Sequence, residues 1–169
     1  MNAEELKTAQ APLKDRYRNE PESALLTMRA QGKLDASAVI CNVQTHVGTA
    51  NAGLHPAAGG DESFACSGEM LLEALVGCAG VTLAAVATAL KLPLRGGIIS
   101  AEGDLDFRGT LGVSKEVPIG FQRVQLQFDL ETDADDEQIE TLIKLTERYC
   151  VVYQTLKNVP RISTSVSKS

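Results

Sequence analysis

SGEMLLEALVGCAGVTLAAVATALKL, residues 67–92, is the longest apolar run in the chain. Residues 74–90 carry no charge. Alanine and leucine dominate the run, and both favour helix. Ser67 reads as the N-cap, Glu69 puts a carboxylate in the first turn where it suits the helix dipole, and Pro93 stops the helix. Apolar residues fall on every side, which predicts a helix buried all round. Cys78 sits at its middle, flanked by Gly77 and Gly80. A glycine inside a helix costs about 1 kcal/mol relative to alanine. Two of them beside a thiol therefore predict a close backbone approach or a bend.

The rest of the composition sets the frame for that helix. The chain has 169 residues, 44% of them hydrophobic and 22% charged, which suits one domain with a proper core. Residues 1–22 read as a polar N-terminal extension and 23–169 as a single domain. A net charge of −6 and a pI near 4.9 argue against nucleic acid or an anionic membrane as partner. The one small basic cluster is Lys14, Arg16 and Arg18. Four cysteines without a CxxC pair make neither a disulfide scaffold, a zinc ribbon nor a thioredoxin motif, so no metal or cofactor is expected. The N-terminus lacks the apolar segment of a signal peptide, which leads to an expectation of a cytoplasmic, reducing compartment. The uncharged run falls just short of a membrane span, and the amphipathic strands after it favour a soluble core helix.

A short helix is expected from Pro12 over residues 13–19, then strands over 24–34 and 37–49. The Gly/Ala/Pro-rich residues 51–66 read as a loop leading into the cysteine helix. Beyond the helix, Ile99, Ala101, Gly103, Leu105 and Phe107 alternate with polar neighbours, as do Val124, Leu126, Phe128 and Leu130. Both are half-buried strands. A second helix is expected over 135–157, with an apolar stripe that includes Leu142, Ile143, Cys150 and Tyr153. A short final strand is expected over 161–166. Hairpins alternating with single helices make the class α+β with a mainly antiparallel sheet. One small sheet cannot cover an all-apolar helix, so a homodimer is expected with the cysteine helix near its interface.

Two chemistries are open to Cys78 and Cys150. Each suits a core as a small hydrophobe. Together, facing the core from two helices, they also suit a redox pair, in which a thiolate attacks a peroxide and the resulting sulfenic acid condenses with the second thiol. Cys41, in a strand, and Cys66, in the loop before the helix, read as packing residues. Glu69 lies nine residues before Cys78, on the opposite face of a straight helix and about 13 Å along it. It therefore cannot serve its own Cys78, but it can serve a partner's. Its plainer role is a first-turn carboxylate on the dipole. Glu73, inside the apolar run, needs a cationic partner if buried. His46, in a strand, and His55, in a glycine-rich loop, offer no base well placed for a cysteine nucleophile.

SGEMLLEALVGCAG at 67–80, LTERYCVV at 145–152, the strand with Gly103, Leu105 and Asp106, and VPIGFQRVQLQF at 117–128 together resemble the OsmC/Ohr family of organic hydroperoxide resistance proteins. The resemblance spans roughly residues 24 to 167. It implies an OsmC-like fold, a mainly antiparallel sheet wrapped around a central helix in an intertwined homodimer with active sites at the interface. It implies an organic hydroperoxide substrate and a dithiol reductant such as a lipoyl protein. Residue by residue, Cys78 resembles the peroxidatic cysteine, Cys150 the resolving one, and Glu69 the glutamate that opens the cysteine helix. A catalytic arginine belongs near the first hairpin; Arg29 is the nearest candidate, with Lys33 beside it, and Arg148 is a third cation able to act on Cys78. The chain departs from the family pattern at Val151, where proline is common, in its N-terminal extension, and in the segment before the helix.

Three functions follow from these residues. The first is a thiol-dependent peroxidase acting on organic hydroperoxides. The alternative is a non-enzymatic binder of a small apolar molecule with the cysteines as lining. A cysteine acyl transferase ranks third, for want of a histidine partner.

Overall fold

The computed structural model describes residues 1–168. The chain opens with helix α1 (Ala3–Asn19), held at its start by a capping box in which Asn2 and Glu5 satisfy each other's backbone N–H. The helix is longer than the 13–19 expected and runs straight through Pro12. The Asn-x-x-Glu signature at residues 2–5 is the start signal, and it outweighs the proline. A 3-10 turn (Pro21–Ala24) follows.

Four strands make the first sheet, in the order β1 (Gln31–Asp35), β2 (Ile40–Thr45), β3 (Gly48–Gly53) and β4 (Ala65–Cys66). The first three pair antiparallel and β4 lies parallel to β3. Two expectations are corrected here. Residues 25–30 are not part of β1. The β-branched stretch 37–49 is not one strand but parts of two, turning at His46 and Val47 with Gly48 at φ 144°. A glycine with that backbone suits a tight reversal where other residues are strained.

Helix α2 (Ser67–Leu90) is unbroken, and Lys91 closes it in the left-handed conformation. Cys66, not Ser67, is its N-cap. By length and composition it would suit a bilayer, yet within the chain it is the post on which the other elements pack. Its buried residues are Leu75, Ala79, Leu83 and Ala87, a single stripe at helical spacing. The expectation of burial all round therefore fails within one chain: Val81 is 73% exposed on the other side. The glycines are corrected as well. A Cβ on Gly77 would meet nothing, and one on Gly80 would only touch Ile99 at 3.7 Å. No close approach within the chain requires either.

Strands β5 (Leu94–Leu105) and β6 (Phe121–Thr132) form a long antiparallel pair, joined through the short helix α3 (Phe107–Thr110). Ile99 faces Phe128, and Ala101 faces Leu126. These four pack on the cluster of Leu75, Ala79 and Cys150, while Leu94 and Leu130 pack with Leu83, Ala87 and Leu142. At Gly103 a Cβ would come within 2.6 Å of the Phe121 ring, so the bare backbone is what seats that ring. On the outer face, Arg123 bonds Asp104 across the pair.

The expected helix 135–157 is two helices. Helix α4 (Asp136–Tyr149) starts at a capping box of Asp135 and Gln138 and stops at Cys150. Helix α5 (Val151–Lys157) begins immediately after it. Residues 161–166 have no ladder partner within the chain, which corrects the expected final strand.

Candidate active site

The break between α4 and α5 creates the site. Cys150 is at once the C-cap of α4 and the N-cap of α5, with extended backbone (φ −71°, ψ 109°). Its own N–H still reaches back to the Thr146 carbonyl, and its carbonyl accepts from Gln154. The Gln154 side chain also donates to the Glu147 carbonyl at 2.8 Å, tying the two helices across the break. The first N–H groups of α5, which have no helical partner, are left pointing at sulfur. Tyr153 N–H donates to Cys150 Sγ at 3.5 Å. Two β-branched residues after a cysteine, poor helix formers both, were the sequence's trace of this break.

Cys78 reaches the break from the middle of α2. It is half-buried, whereas Cys150 is fully enclosed with Leu75 and Ala79. Cys78 packs against the cluster that holds Cys150, and both thiols are unlinked. Their acidities are driven apart. Burial pushes the Cys78 thiol up, but the N–H of Val152, the Cys150 thiol, the N–H of Val151 and the Thr82 hydroxyl together hold it below its ordinary value. Burial also pushes Cys150 up, helped by donating to Cys78 and by the charge on that sulfur, with the Tyr153 N–H opposing. Cys78 is thus the more acidic of the two thiols.

The groups that lower Cys78 are uncharged. Arg29 lies exposed in the irregular stretch 25–30, and Lys33 is exposed on β1 opposite Asn42. Arg148 comes closer. It ends α4, rests its guanidinium 5.4 Å from the Tyr149 ring centre, and lines a 460 Å³ cavity with Cys150 and Val151. Glu69 is exposed in the first turn of α2. With the helix unbroken, it is on the face opposite its own Cys78.

The remaining candidates lie elsewhere. Cys41 is in β2, paired with Ala52, and Cys66 caps α2 beside Gly68 and Phe121. His55 accepts the Ala57 N–H at 3.0 Å and stacks on Phe107 at 4.9 Å. Glu73 is exposed within the chain. Among the described residues, no group of His, Cys, Asp and Glu is arranged to hold a metal ion. A groove of 430 Å³ is lined by neither cysteine but shares Leu75, Leu126 and Tyr153 with the cluster around them. Leu71, Leu75, Phe121, Leu126 and Tyr153 give it an apolar floor, and Arg123 and Lys157 stand at its edge. The donors of α5 and Thr82 were not singled out from sequence, because a continuous helix would have left no free N–H there.

A central helix bearing one thiol, a broken helix bearing the second, and antiparallel strands around them define a class. Residues 60–165 match the model of the OsmC-like protein family. The chain belongs to the OsmC-like family. Its fold is similar to that of the OsmC-like protein from Mycoplasma pneumoniae, with a TM-score of 0.65 at 14% identity over 79% of this chain and 89% of that one. It is also similar to the organic hydroperoxide resistance protein OsmC from Legionella pneumophila (TM-score 0.61, 18% identity, 80% and 92% covered). A third likeness is to the organic hydroperoxide resistance protein OhrB of Bacillus subtilis (TM-score 0.54, 18% identity, 80% and 94% covered). No curated protein sequence matches the chain.

Proposed function

We propose that this protein is a thiol-dependent peroxidase that reduces organic hydroperoxides with Cys78 and Cys150. The observation that carries the proposal is that Cys78, at the middle of α2, packs against the cluster enclosing Cys150 at the α4–α5 break. Their surroundings lower the Cys78 thiol and raise that of Cys150. The names of the Legionella and Bacillus proteins of like fold support the choice of substrate class.

The cycle has three balanced steps. The Cys78 thiolate attacks the terminal oxygen of ROOH. The O–O bond breaks, an alcohol leaves after taking a proton, and Cys78 becomes a sulfenic acid. The Cys150 thiol then attacks that sulfur, forming the disulfide and releasing water. A dithiol, such as a lipoyl group, reduces the disulfide and is itself oxidised to a disulfide. The 430 Å³ groove would take the organic part of the peroxide. A cytoplasmic setting suits a cycle that needs dithiols.

The active unit in this reading is a homodimer. The open side of α2 carries Ala74, Gly77, Val81 and Ala84. Met28 (93%) and Ile162 (84%) are left bare in segments without a partner. A second copy would cover these surfaces, burying more than about 2,000 Å², and would bring its Glu69, and an arginine such as Arg29, toward Cys78. The test of function is consumption of cumene hydroperoxide with a dithiol in excess. Steady turnover lost in Cys78→Ser supports the peroxidase. Binding of apolar probes without turnover would leave the groove as a ligand site only.

A further inference from the structure

We propose that the reduced Cys150 sulfur is the latch that holds helix α5 against the groove, so that closing the disulfide loosens α5 and weakens the groove's hold on an apolar molecule. The inference rests on the reading of Cys78 and Cys150 as a redox pair. It goes beyond that reading by coupling the pair to a groove that neither cysteine lines.

Cys150 is the N-cap of α5, and Tyr153 N–H donates to its Sγ at 3.5 Å. An N-cap side chain takes up one of the backbone donors that the first turn leaves without a partner. Asn2 and Asp135, which open α1 and α4, do this with oxygen, each in a capping box. Cys150 puts sulfur in that place, an atom whose bonding a redox reaction changes.

Helix α5 depends on its cap more than the longer helices do. It has seven residues, with two valines and a threonine among them. A helix of that length and composition does not stand alone in water. Besides the cap, it is tied by the Gln154 side chain to the Glu147 carbonyl and by the packing of Val152 and Tyr153 on the cluster around Cys150. Tyr153 belongs to both arrangements, since its N–H reaches the sulfur and its side chain packs on the cluster.

The same helix lines the groove. Tyr153, Leu156 and Lys157 come from α5, and the other lining residues come from α2 and β6. Lys157 Nζ lies 5.7 Å from the Tyr153 ring centre, so the residue next to the cap and the last residue of the helix are in contact. A shift of α5 against α2 therefore changes the shape of this space.

Closing the disulfide displaces the cap. The Cys150 thiol attacks the Cys78 sulfenic acid; the S–S bond forms, the S–O bond breaks, and water leaves with the Cys150 proton. The two sulfurs, unlinked here, must come to about 2.05 Å. Cys78 belongs to an unbroken helix of 24 residues that packs on β5, α4 and α5. Cys150 sits on extended backbone between two helices. Cys150 is the less restrained of the two, so its Sγ turns from Tyr153 toward α2. The half-buried Tyr153 then has an N–H without its acceptor, and the first turn of α5 loosens. An alcohol left in the groove by the first step is held less tightly once the pair has closed.

The test follows α5 and the groove together on the full chain. Hydrogen exchange of peptides over 151–157 reads the helix. Titration with 2-phenyl-2-propanol, the alcohol that cumene hydroperoxide leaves, reads the groove. Cys150→Ala removes the cap without any oxidation, and Cys150→Ser keeps a side-chain acceptor in the same place. In Cys150→Ala the exchange should speed up and the alcohol should bind about three- to tenfold more weakly, the size of effect that losing one cap produces. Cys150→Ser should match the reduced wild type in both. Wild type oxidised with diamide, which takes up the two thiol hydrogens, needs no variant and should behave like Cys150→Ala. Equal exchange and binding in reduced wild type and Cys150→Ala would overturn the proposal, as would a Ser variant that follows Ala, or a mapped Cys78–Cys150 disulfide that leaves both readouts unchanged. None of these steps consumes hydroperoxide. A loosened α5 in Cys150→Ala, in a protein whose wild type turns over no hydroperoxide, would uphold the latch and sink the peroxidase; an active peroxidase with an indifferent α5 would do the reverse.

Discussion

Cys78 packs against the core cluster that encloses Cys150, and their acidities move in opposite directions, Cys78 down and Cys150 up. Burial raises the enclosed Cys150 thiol, while neighbouring backbone and hydroxyl groups lower that of Cys78. In the proposed cycle the sulfur with the lowered value attacks, and the enclosed one resolves.

Alkylation of the native protein should therefore be selective. Cys78 should react first, with a midpoint below the ordinary thiol value of about 8.5. Because its acidity is raised by folding, the thiolate persists at lower pH, and the reaction falls away only as pH drops through the lowered value. Cys150→Ala removes one donor and should move the midpoint up. Mass spectrometry of alkylated peptides across pH checks both statements, and a Cys150 that reacts before Cys78 would reverse the assignment.

The two cysteines should fail differently. Cys78→Ser should abolish peroxide consumption. Cys150→Ser should allow one turnover per chain and then accumulate sulfenic or sulfinic acid on Cys78. Intact-mass analysis after a single equivalent of cumene hydroperoxide separates these from equal, partial losses.

Glu69 should act across the dimer. It lies on the face of an unbroken helix opposite its own Cys78. Mixed dimers made from Glu69→Gln and Cys78→Ser chains contain one site with an intact Cys78 and the other chain's intact Glu69. Such dimers should recover about half of wild-type activity if Glu69 serves the partner's site. Activity no higher than that of the Glu69→Gln homodimer would show that Glu69 serves only its own chain.

The packing behind the site should be costly to disturb. Leu142 is fully buried against Leu83 and Ala87. Leu142→Ala should lower stability by about 2–5 kcal/mol through lost burial and the cavity left behind. Chemical denaturation at a fixed protein concentration measures this, since dimer stability depends on concentration.

The central helix, the long strand pair and the α+β class were legible because each writes a period into the sequence. Alanine and leucine fill 74–90, and Val124 to Leu130 alternate with polar residues. The two cysteines were legible by their positions in those patterns. The break at Cys150 was not. The apolar stripe from Ile139 to Tyr153 continues in phase through it, and only the Val151–Val152 pair hints that the backbone turns extended. The first hairpin was blurred for a different reason. β2 is half-buried without alternation from Ile40 to Val43 and β3 carries only small and polar residues, so no period marks where one strand ends and the other begins. Pro12 reads as a helix start, yet α1 begins at the cap on Asn2 and carries the proline inside it.

The most direct test of the two-cysteine cycle is a thiol count with disulfide mapping after one equivalent of an organic hydroperoxide. The account predicts that two thiols per chain disappear and that a Cys78–Cys150 disulfide forms within one chain, leaving Cys41 and Cys66 reduced. A Cys78 that stays reduced, or that pairs with Cys66, would contradict it.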